Sequence, residues 1–305
     1  MMLNHRTLGR ELSNWGRWGS DDQLGTLNLL TSDRVLAGAR SIRSGQVLEL
    51  SLPLDEHGPQ PVGSRRGNPV HMMTRLPDAP VEEGGFHFFD DAMFLHLQGA
   101  TQLDALAHVS YDGLLYNGVS SVSAVTSAGA SRLGMENYVG RITGRAVLLD
   151  IPALTGRDRL DSVEPVSAED LSAAEARAGV RVAPGDIVVV RTGWMQVLLG
   201  GDAEAYFATE PGLDLSTARW LHERDVAFVA SDNWGVEVAP SESGAAMPLH
   251  CVLVRDMGMP LGEMFVLEEL AAVSASQERA DFHISCAGLR VTGGVGSPAS
   301  PVATF

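Results

Sequence analysis

The sequence has few of the features on which secreted and membrane-embedded proteins depend. It contains two cysteines, Cys251 and Cys286, and neither lies in a CxxC pair, so a disulfide framework is excluded. No apolar run approaches the roughly 18 residues that a transmembrane helix needs. The first residues, Met1 to Arg6, lack the apolar segment of a signal peptide. These absences predict a cytoplasmic protein without a membrane partner.

Positive charge is scarce as well. Lysine and arginine together number 22 against 38 acidic residues, which gives a formal net charge of −16. A surface this acidic repels nucleic-acid phosphates and anionic lipid headgroups, so neither is an expected partner. A small-molecule substrate is the expected partner, because it responds to the local field of a pocket rather than to the net charge. The hydrophobic content of 45% is typical of a folded globular protein.

The order of the predicted elements indicates a mixed α/β fold with a largely β core and peripheral helices. Strands are predicted at Val47–Leu54, Met93–Gln98, Ala146–Asp150, Ile187–Thr192, Val226–Ser231 and Leu249–Arg255. Helices are predicted at 32–44, Ala168–Ala178 with Ser167 as N-cap, Ser216–Arg224 and Gly262–Ser274. No shift in composition marks a boundary within the chain. We therefore predict an N-terminal arm and helix over residues 1–45 and a single catalytic domain over 46–305.

Residues 55–90 are rich in glycine, proline, aspartate and histidine and show no clear periodicity. A segment this long without its own pattern is usually a functional loop or lid. His71 lies in it and is a candidate for lining a substrate pocket. Polar residues also follow the predicted strand that ends at Ser231, and of these Asn233 is a candidate substrate ligand, with Asp232 and Glu237 on the substrate side or behind it.

The densest polar cluster on an apolar background runs from His96 to His108. His96 and Gln98 are two apart, so on a strand they share one face. If residues 103–109 are helical, Asp104 and His108 also share a face and can converge on one ion or substrate. A carboxylate and an imidazole are common ligands of Zn²⁺ and Mn²⁺. The same spacing is also typical of an ordinary pair on a helix surface.

This cluster resembles a motif of the cyclase family, which includes kynurenine-formamidase-like metal-dependent hydrolases. The family pattern is His-x-Gly-Thr-His-x-Asp-x-x-x-His, and residues 98–108 here read Gln-Gly-Ala-Thr-Gln-Leu-Asp-Ala-Leu-Ala-His. Thr101, Asp104 and His108 match, whereas Gln98 and Gln102 stand where the pattern has its first two histidines. Similar segments lie at 18–28, 116–118, 184–194 and 291–298.

The resemblance implies a fold of the swivelling β/β/α type and a metal site that also uses a late histidine and glutamate. His250 and Glu263 stand at those positions. The implied catalytic and metal-binding cluster is therefore Asp104, His108, His250 and Glu263, holding one divalent ion, Zn²⁺ or Mn²⁺, without an organic cofactor. The family also implies a homo-oligomer, a dimer or tetramer, for which Trp15 and Trp18 of the arm are candidate anchors.

The two glutamines leave three interpretations of the site open, because an amide oxygen is a weaker ligand than imidazole. One ion is held by the four-residue cluster, or His96 replaces a missing ligand, or histidine–carboxylate pairs activate water without an ion. In each case Gln98 and Gln102 can donate hydrogen bonds to a substrate carbonyl. The predicted substrate-binding set is Gln98, Gln102, His71, His96 and Asn233.

The predicted function is that of a hydrolase that opens a cyclic amide, an imide or a related N-acyl bond by attack of water on the carbonyl. A lactone hydrolase or a cyclase of secondary metabolism is the alternative within enzymes, since the family hosts both ring opening and ring closing. A binding protein that keeps the fold without catalysis is the alternative outside enzymes, because fold alone does not fix function.

Overall fold

The structure is a computed structural model that describes residues 4–305, so the first three residues of the predicted arm lie outside it. Its strands are β1 (Val47–Glu49), β2 (Val70–Arg75), β3 (Asp90–Phe94), β4 (Gln102–Asp104), β5 (Val125–Thr126), β6 (Gly129–Ala130), β7 (Thr143–Asp150), β8 (Pro165–Val166), β9 (Ile187–Arg191), β10 (Gly212–Leu213), β11 (Phe228–Ser231), β12 (Leu261–Glu263), β13 (Asp281–Gly288) and β14 (Gly296–Thr304).

The helices are mostly short and lie between the strands. They are α1 (His5–Glu11), α2 (Ser32–Ser41), α3 (Ser121–Ala124), α4 (Ala168–Arg177), α5 (Met195–Leu199), α6 (Ala203–Ala208), α7 (Ser216–Glu223), α8 (Pro248–His250) and α9 (Glu268–Ser276). A π-helix over Cys251–Met257 continues α8 directly. Single 3₁₀ turns lie at Gly25–Leu29, Glu83–Gly85, Tyr116–Gly118, Met135–Asn137 and Pro152–Leu154. In the described chain, no helix is long and apolar enough to cross a membrane.

Seven strands of the described chain close into a β-barrel. Their order is β14, β13, β7, β9, β11, β12 and β4, and pairing of β4 with β14 completes the ring. Strands β7, β9, β11 and β12 run parallel to one another, and the other neighbouring pairs are antiparallel. β1 extends the sheet along β14. The prediction of a mixed α/β fold with a largely β core and peripheral helices is confirmed.

The central strand β9 shows how the sequence forms the barrel wall. All five of its residues are buried, and Val188 pairs with Val147 of β7 on one side and Val229 of β11 on the other. Parallel strands that are covered on both faces are rich in β-branched apolar residues, as this one is. In β13 buried positions alternate with more exposed ones, which is typical of a strand with one face toward solvent.

Helix α4 is an example of a local prediction that the structure confirms. The Ser167 side chain accepts a hydrogen bond from the Asp170 N–H, and the Asp170 carboxylate accepts one from the Ser167 N–H. This reciprocal capping fixes the start of the helix, because it satisfies backbone donors that have no partner within the first turn. Arg177 in the last turn favours the opposite end of the helix dipole.

Residues 103–109, considered above as a possible helix, are not helical. Gln102–Asp104 forms β4, and the chain then turns, with the His108 N–H donating to the Ala105 carbonyl at 2.8 Å. The segment was ambiguous because a short apolar run fits a buried strand as well as a helix. Asp104 and His108 are therefore brought together by a turn after a barrel strand.

Two predictions in the last third of the chain are wrong. Leu249–Arg255 is helical and not a strand, because Pro248 favours the first turn of a helix and the run that follows is buried on all sides. The helix predicted at Gly262–Ser274 is a strand up to Glu263 and becomes helical only at Glu268. Gly258, at a φ of +67°, ends the π-helix, and a Cβ there would lie 2.4 Å from the Tyr116 ring.

The predicted loop over residues 55–90 contains a β-hairpin. β2 and β3 pair antiparallel outside the barrel, and residues 76–89 connect them. The strand predicted at Met93–Gln98 is therefore displaced to Asp90–Phe94 and is exposed instead of forming part of the core. The strand predicted at Val47–Leu54 is limited to Val47–Glu49.

The N-terminal arm packs on its own chain. Leu8 of α1 belongs to the main hydrophobic core. The Trp15 indole N–H donates to the Arg255 carbonyl at 2.8 Å, and the Arg255 guanidinium lies 4.5 Å from the Trp15 ring centre. Trp15 is thus held by contacts within its own chain, and its role as an anchor for a neighbouring subunit stays a prediction. The Trp18 ring lies 4.7 Å from the guanidinium of Arg17 in the same arm.

Candidate active site

Strand pairing between β4 and β12 places three polar side chains on one face of the barrel wall. Glu263 stands directly opposite Gln102 in the register, and Asp104 is two residues beyond Gln102. Residues two apart on a strand point to the same face, so all three side chains project the same way, with Leu103 in the core on the opposite face. The Gln102 amide donates a hydrogen bond to the Glu263 carboxylate.

His250 reaches the same face from the last residue of α8. Its Nδ1 lies 2.6 Å from Glu237 Oε1, and its Nε2 lies 3.1 Å from Glu263 Oε1. The Glu237 carboxylate also accepts hydrogen bonds from the backbone N–H groups of Leu249 and His250, at 3.0 and 2.8 Å. Glu237 therefore fixes the ring orientation and the protonation of Nδ1, and Nε2 faces Glu263.

The pKa of His250 depends on two opposing effects. Burial lowers the pKa, but the hydrogen bonds to Glu237 and Glu263 outweigh burial and hold it well above its ordinary value. In the protein alone the ring therefore carries a proton between two carboxylates. A cation that binds at Nε2 takes the place of this proton, so binding of the cation releases it.

Asp104 is almost completely buried, at 1% exposure, and no protein group in residues 4–305 donates to either of its oxygens. Burial raises its pKa to about 6, with opposing contributions from His108, His250 and the Arg66 guanidinium. The nearest imidazole nitrogen, Nε2 of His108, is 3.7 Å away. A buried carboxylate without a donor is uncommon and points to a missing cation or proton.

The four residues proposed from the sequence come together. Ligand atoms of Asp104, His250 and Glu263 all lie within 4.8 Å of one another, and His108 adjoins Asp104 on the more exposed side, with 23% of its side chain accessible. Two carboxylates and an imidazole are a donor set that Zn²⁺ and Mn²⁺ accept. The oxygens of Asp104 accept no hydrogen bond from the described chain, and a cation bound to them would neutralise this buried carboxylate. The cluster therefore fits one divalent ion.

A cavity of about 340 Å³ opens onto this cluster. Beside the four polar residues it is lined by Gln60, Arg65, Arg66, Val109, Phe207, Trp234 and Met247. Aromatic and aliphatic side chains form one side, and two arginines from the segment before the hairpin form another. A second groove, of about 420 Å³, is lined by residues of α4 and α9. It contains none of the three residues of the metal-ligand cluster, Asp104, His250 and Glu263.

The other predicted substrate ligands do not line this cavity. His71 is on the exposed hairpin, 2.7 Å from Asp91, and His96 packs edge-on against the Phe94 ring. His96 is therefore not placed as a replacement metal ligand. The Asn233 amide donates to the Pro211 carbonyl and accepts from the Val236 N–H.

Both ends of the Asn233 amide are thus used in holding the backbone, and Asn233 does not line the cavity. Gln98 lies against Gly296 of β14, and its amide nitrogen has no partner among residues 4–305. Gln102 is the one predicted amide that touches the cluster, through Glu263. Its carbonyl oxygen is buried and accepts no hydrogen bond from the described chain.

Asp232 has a structural role. Its carboxylate accepts hydrogen bonds from the Thr192 N–H and hydroxyl at 2.8 and 2.7 Å and from the Gly193 N–H at 2.7 Å. These bonds hold the turn that follows β9. Of the two positions left open for these residues, Asp232 is away from the cavity, and Glu237 lies directly behind His250.

Several residues of the site were not found from the sequence. Arg65, Arg66 and Trp234 carry no motif, and only their position beside the cluster marks them. Glu210 is completely buried near Glu263, and both burial and the Glu263 charge raise its pKa well above the ordinary value. A glutamate on a short polar segment gives no sequence signal for such burial.

Comparison with known proteins agrees with this geometry. The model of the family described as "Putative cyclase" matches residues 48–238, which is more than half of the chain. A crystal structure described as a novel cyclase is 37% identical to this chain, covers 97% of it and 99% of its own length, and superposes with a TM-score of 0.90. The chain belongs to the cyclase family.

More distantly similar structures share the fold. Isatin hydrolase A from Ralstonia solanacearum is 21% identical, with a TM-score of 0.60 over 85% of this chain and 91% of that one. A predicted metal-dependent hydrolase from Bacillus stearothermophilus is 16% identical, with a TM-score of 0.54 over 85% of this chain and 97% of that one. No curated protein matches the sequence.

Proposed function

We propose that this cyclase-family protein is a hydrolase that opens a cyclic amide or imide, or a related N-acyl bond, by attack of water on the carbonyl carbon. The observation that carries the proposal is the meeting of Asp104 and His108 with His250 and Glu263 at one cavity. Similarity to structures named as isatin hydrolases and as a metal-dependent hydrolase supports hydrolysis as the reaction class.

Asp104, His250 through Nε2, and Glu263 would hold a divalent ion, with His108 as the fourth ligand. When bound, such an ion supplies Lewis acidity that polarises the scissile carbonyl and makes a neighbouring water more acidic. Glu237 keeps the His250 ring in place by accepting a hydrogen bond from its Nδ1–H. Gln102 holds Glu263 from the other side.

Residues around the cluster can serve proton transfer and binding of the substrate ring. The water oxygen bonds to the carbonyl carbon, the C–N bond breaks, and the water proton is transferred to the leaving nitrogen, so that an acid and an amine or amide form. A side chain at the solvent edge is suited to carry this proton, and His108 is the imidazole there. Phe207 and Trp234 offer aromatic surface for a flat ring.

The experiment that tests the function combines metal analysis with a substrate panel. We expect purified protein to retain one Zn²⁺ or Mn²⁺ per chain and to hydrolyse cyclic imides or lactams faster than matched lactones and N-formyl aromatics. Prolonged chelation should remove activity, and the metal alone should restore it. Failure to hydrolyse any compound after metal loading would refute the hydrolase, whereas a preference for lactones would leave hydrolysis and refute the C–N assignment.

The two arginines predict that the substrate bears an acidic group. Arg65 is exposed at the cavity, and the Arg66 guanidinium donates to the Gln98 carbonyl at 2.9 Å, which aims it along the same wall. A guanidinium that binds a carboxylate contributes about 1.5–3 kcal/mol. Arg65→Gln should therefore raise KM at least about tenfold for a carboxylated imide and leave KM for its neutral counterpart unchanged.

Steady-state kinetics on the matched pair of imides checks this prediction. Arg290→Gln serves as the control, because Arg290 is exposed and lies outside the cavity. An equal effect of Arg65→Gln on both imides would contradict recognition of the acidic group. Turnover of neither imide by the wild type would instead count against the hydrolase itself, so the two failures are distinguishable.

A further inference from the structure

A further polar cavity, of about 310 Å³, lies where the N-terminal arm meets the π-helix Cys251–Met257. Its charged lining consists of three arginines and two aspartates, namely Arg6, Arg10, Arg255, Asp112 and Asp256. We call it the arm cavity. All the residues that line it differ from those that line the cavity beside the metal-ligand cluster, so it is a separate place at which a ligand can bind.

The arm is packed too closely against the π-helix for the arm cavity to be a chance gap. A Cβ at Gly9 of α1 would lie 1.9 Å from an Asp256 carboxylate oxygen and 3.2 Å from the Tyr111 hydroxyl, so only glycine allows this approach. The Asn14 N–H also donates to the Asp256 carbonyl at 3.0 Å. The walls of the cavity are therefore fixed before a ligand arrives, which lowers the cost of ordering them on binding.

Arg255 supplies the buried charge of this cavity. Its side chain is 10% exposed, and its guanidinium carbon lies 4.5 Å from the Trp15 ring centre and 4.0 Å from the Tyr111 ring centre. Two aromatic rings thus hold the guanidinium. Its hydrogen bonds within the described chain all use Nη1, which donates to the Asp256 carboxylate and to the Tyr111 hydroxyl.

The other edge of the Arg255 guanidinium lacks an acceptor. Nε is buried and has no hydrogen-bond partner among residues 4–305. A guanidinium has five donors, and two of its nitrogens side by side match the two oxygens of a carboxylate. Because buried charged donors are normally paired, the vacant Nε–Nη2 edge indicates that an acceptor from outside the chain binds there.

The charge of the arm cavity favours a ligand with a single negative charge. Arg6 pairs with Asp112, and Arg255 pairs with Asp256. Arg10 is exposed and forms no ion pair in the described part of the chain, so one positive charge remains uncompensated. A dianion such as phosphate would bring excess negative charge close to the two aspartates, which repel it.

We propose that the arm cavity binds a small organic carboxylate. The carboxylate accepts hydrogen bonds from the Nε–Nη2 edge of Arg255, and Arg10 supplies the charge that neutralises it. Trp15 lines the same cavity and offers aromatic surface to the organic part of the ligand. Inorganic anions gain nothing from such a surface.

Isothermal titration of the metal-loaded protein with sodium phenylacetate tests the proposal. We expect the wild type to bind with a Kd below about 1 mM. Arg10→Gln should raise this Kd at least about tenfold, because tenfold corresponds to about 1.4 kcal/mol and a hydrogen bond to a charged group contributes at least as much. Arg40→Gln is the matched control, since Arg40 is exposed on α2 and lines neither cavity.

Two further variants locate the bound carboxylate. Phenylacetate can also bind beside the metal-ligand cluster, so Arg65→Gln, which alters that cavity, is titrated in parallel and should keep the wild-type Kd for the arm cavity. Arg255→Lys keeps the positive charge and removes the Nε–Nη2 edge, and it should also raise the Kd at least about tenfold. Far-ultraviolet circular dichroism checks that each variant is folded.

The outcomes that would overturn the proposal are distinct. One is a wild type that does not bind phenylacetate at 10 mM, on the order of tenfold above the expected Kd. A second is an unchanged Kd in folded Arg10→Gln or folded Arg255→Lys. A third is weaker binding in Arg65→Gln alone, which would place the carboxylate at the metal-ligand cluster. Phosphate binding as tight as that of phenylacetate would refute the assignment to an organic carboxylate.

Discussion

Asp104→Asn should lower kcat/KM for ring opening by about 10³-fold, within the range that loss of a catalytic acid or base group produces. The substitution keeps the shape of the side chain and removes its charge. One of two carboxylates in the cluster then no longer contributes to binding a cation, and the remaining set of His250, Glu263 and His108 is short of negative charge.

The same substitution should not destabilise the metal-free protein. Burial raises the pKa of Asp104 from 3.8 to about 6. At pH 8 this shift corresponds to about 3 kcal/mol of destabilisation, at about 1.36 kcal/mol for each pKa unit. Asparagine avoids the charge but leaves a buried amide, which costs about 1–3 kcal/mol. We therefore expect the variant to be as stable as the wild type or slightly more stable.

The pH dependence of this difference follows from the direction of the pKa shift. The folded state holds the Asp104 proton more tightly than the unfolded state, so the wild type loses stability as pH rises from about 4 to about 6 and stays lower above that. Asparagine does not titrate. We therefore compare the free energy of unfolding of Asp104→Asn with that of the wild type at two pH values. The variant's value minus the wild-type value should be about 1.4 kcal/mol larger at pH 8 than at pH 5.

Urea denaturation in the presence of chelator, at both pH values, measures the stabilities, and the imide assay measures activity after metal loading. Full activity of Asp104→Asn would exclude Asp104 from the site. A large loss of stability at pH 8 would show instead that the carboxylate is satisfied in the folded protein, and the account of Asp104 as an unpaired charge would then be wrong.

Glu237→Gln is expected to weaken metal affinity by about 10- to 100-fold, although Glu237 itself is behind the cluster. The carboxylate accepts three hydrogen bonds, from His250 Nδ1 and from the N–H groups of Leu249 and His250. A glutamine must turn its NH₂ group toward at least one of these donors. The His250 ring then keeps at most a neutral acceptor at Nδ1, which holds it less firmly than a carboxylate, and the fold should lose about 1–3 kcal/mol.

Isothermal titration of chelator-treated protein with Zn²⁺ gives the affinity directly. Glu242→Gln is the matched control, because Glu242 lies on the same segment and is exposed. A general loss of packing would lower the melting temperature without changing metal affinity in the folded protein. Wild-type affinity in Glu237→Gln would therefore refute the positioning role even if stability falls.

Local sequence rules predicted the elements whose causes are local. Ser167 predicted the start of α4, because an N-cap residue acts on the backbone donors of the turn that follows it. The apolar run at Ile187–Thr192 predicted a strand, and the structure has it at Ile187–Arg191 with every residue buried. Near the site, residues 249–255 were assigned to the wrong element and residues 103–109 stayed undecided, because such apolar runs fit a strand and a helix equally well.

The sequence by itself determined which side chains can do chemistry, since Asp104, His108, His250 and Glu263 are a carboxylate and imidazole set whatever the fold. Only the tertiary structure decided that they meet, that Glu237 stands behind His250, and that Asn233 is used by the backbone. The reason is the register of β4 against β12, which joins Gln102 to Glu263 across 161 positions. Pairing over such a distance is selected by closure of the whole barrel, and no local periodicity encodes it.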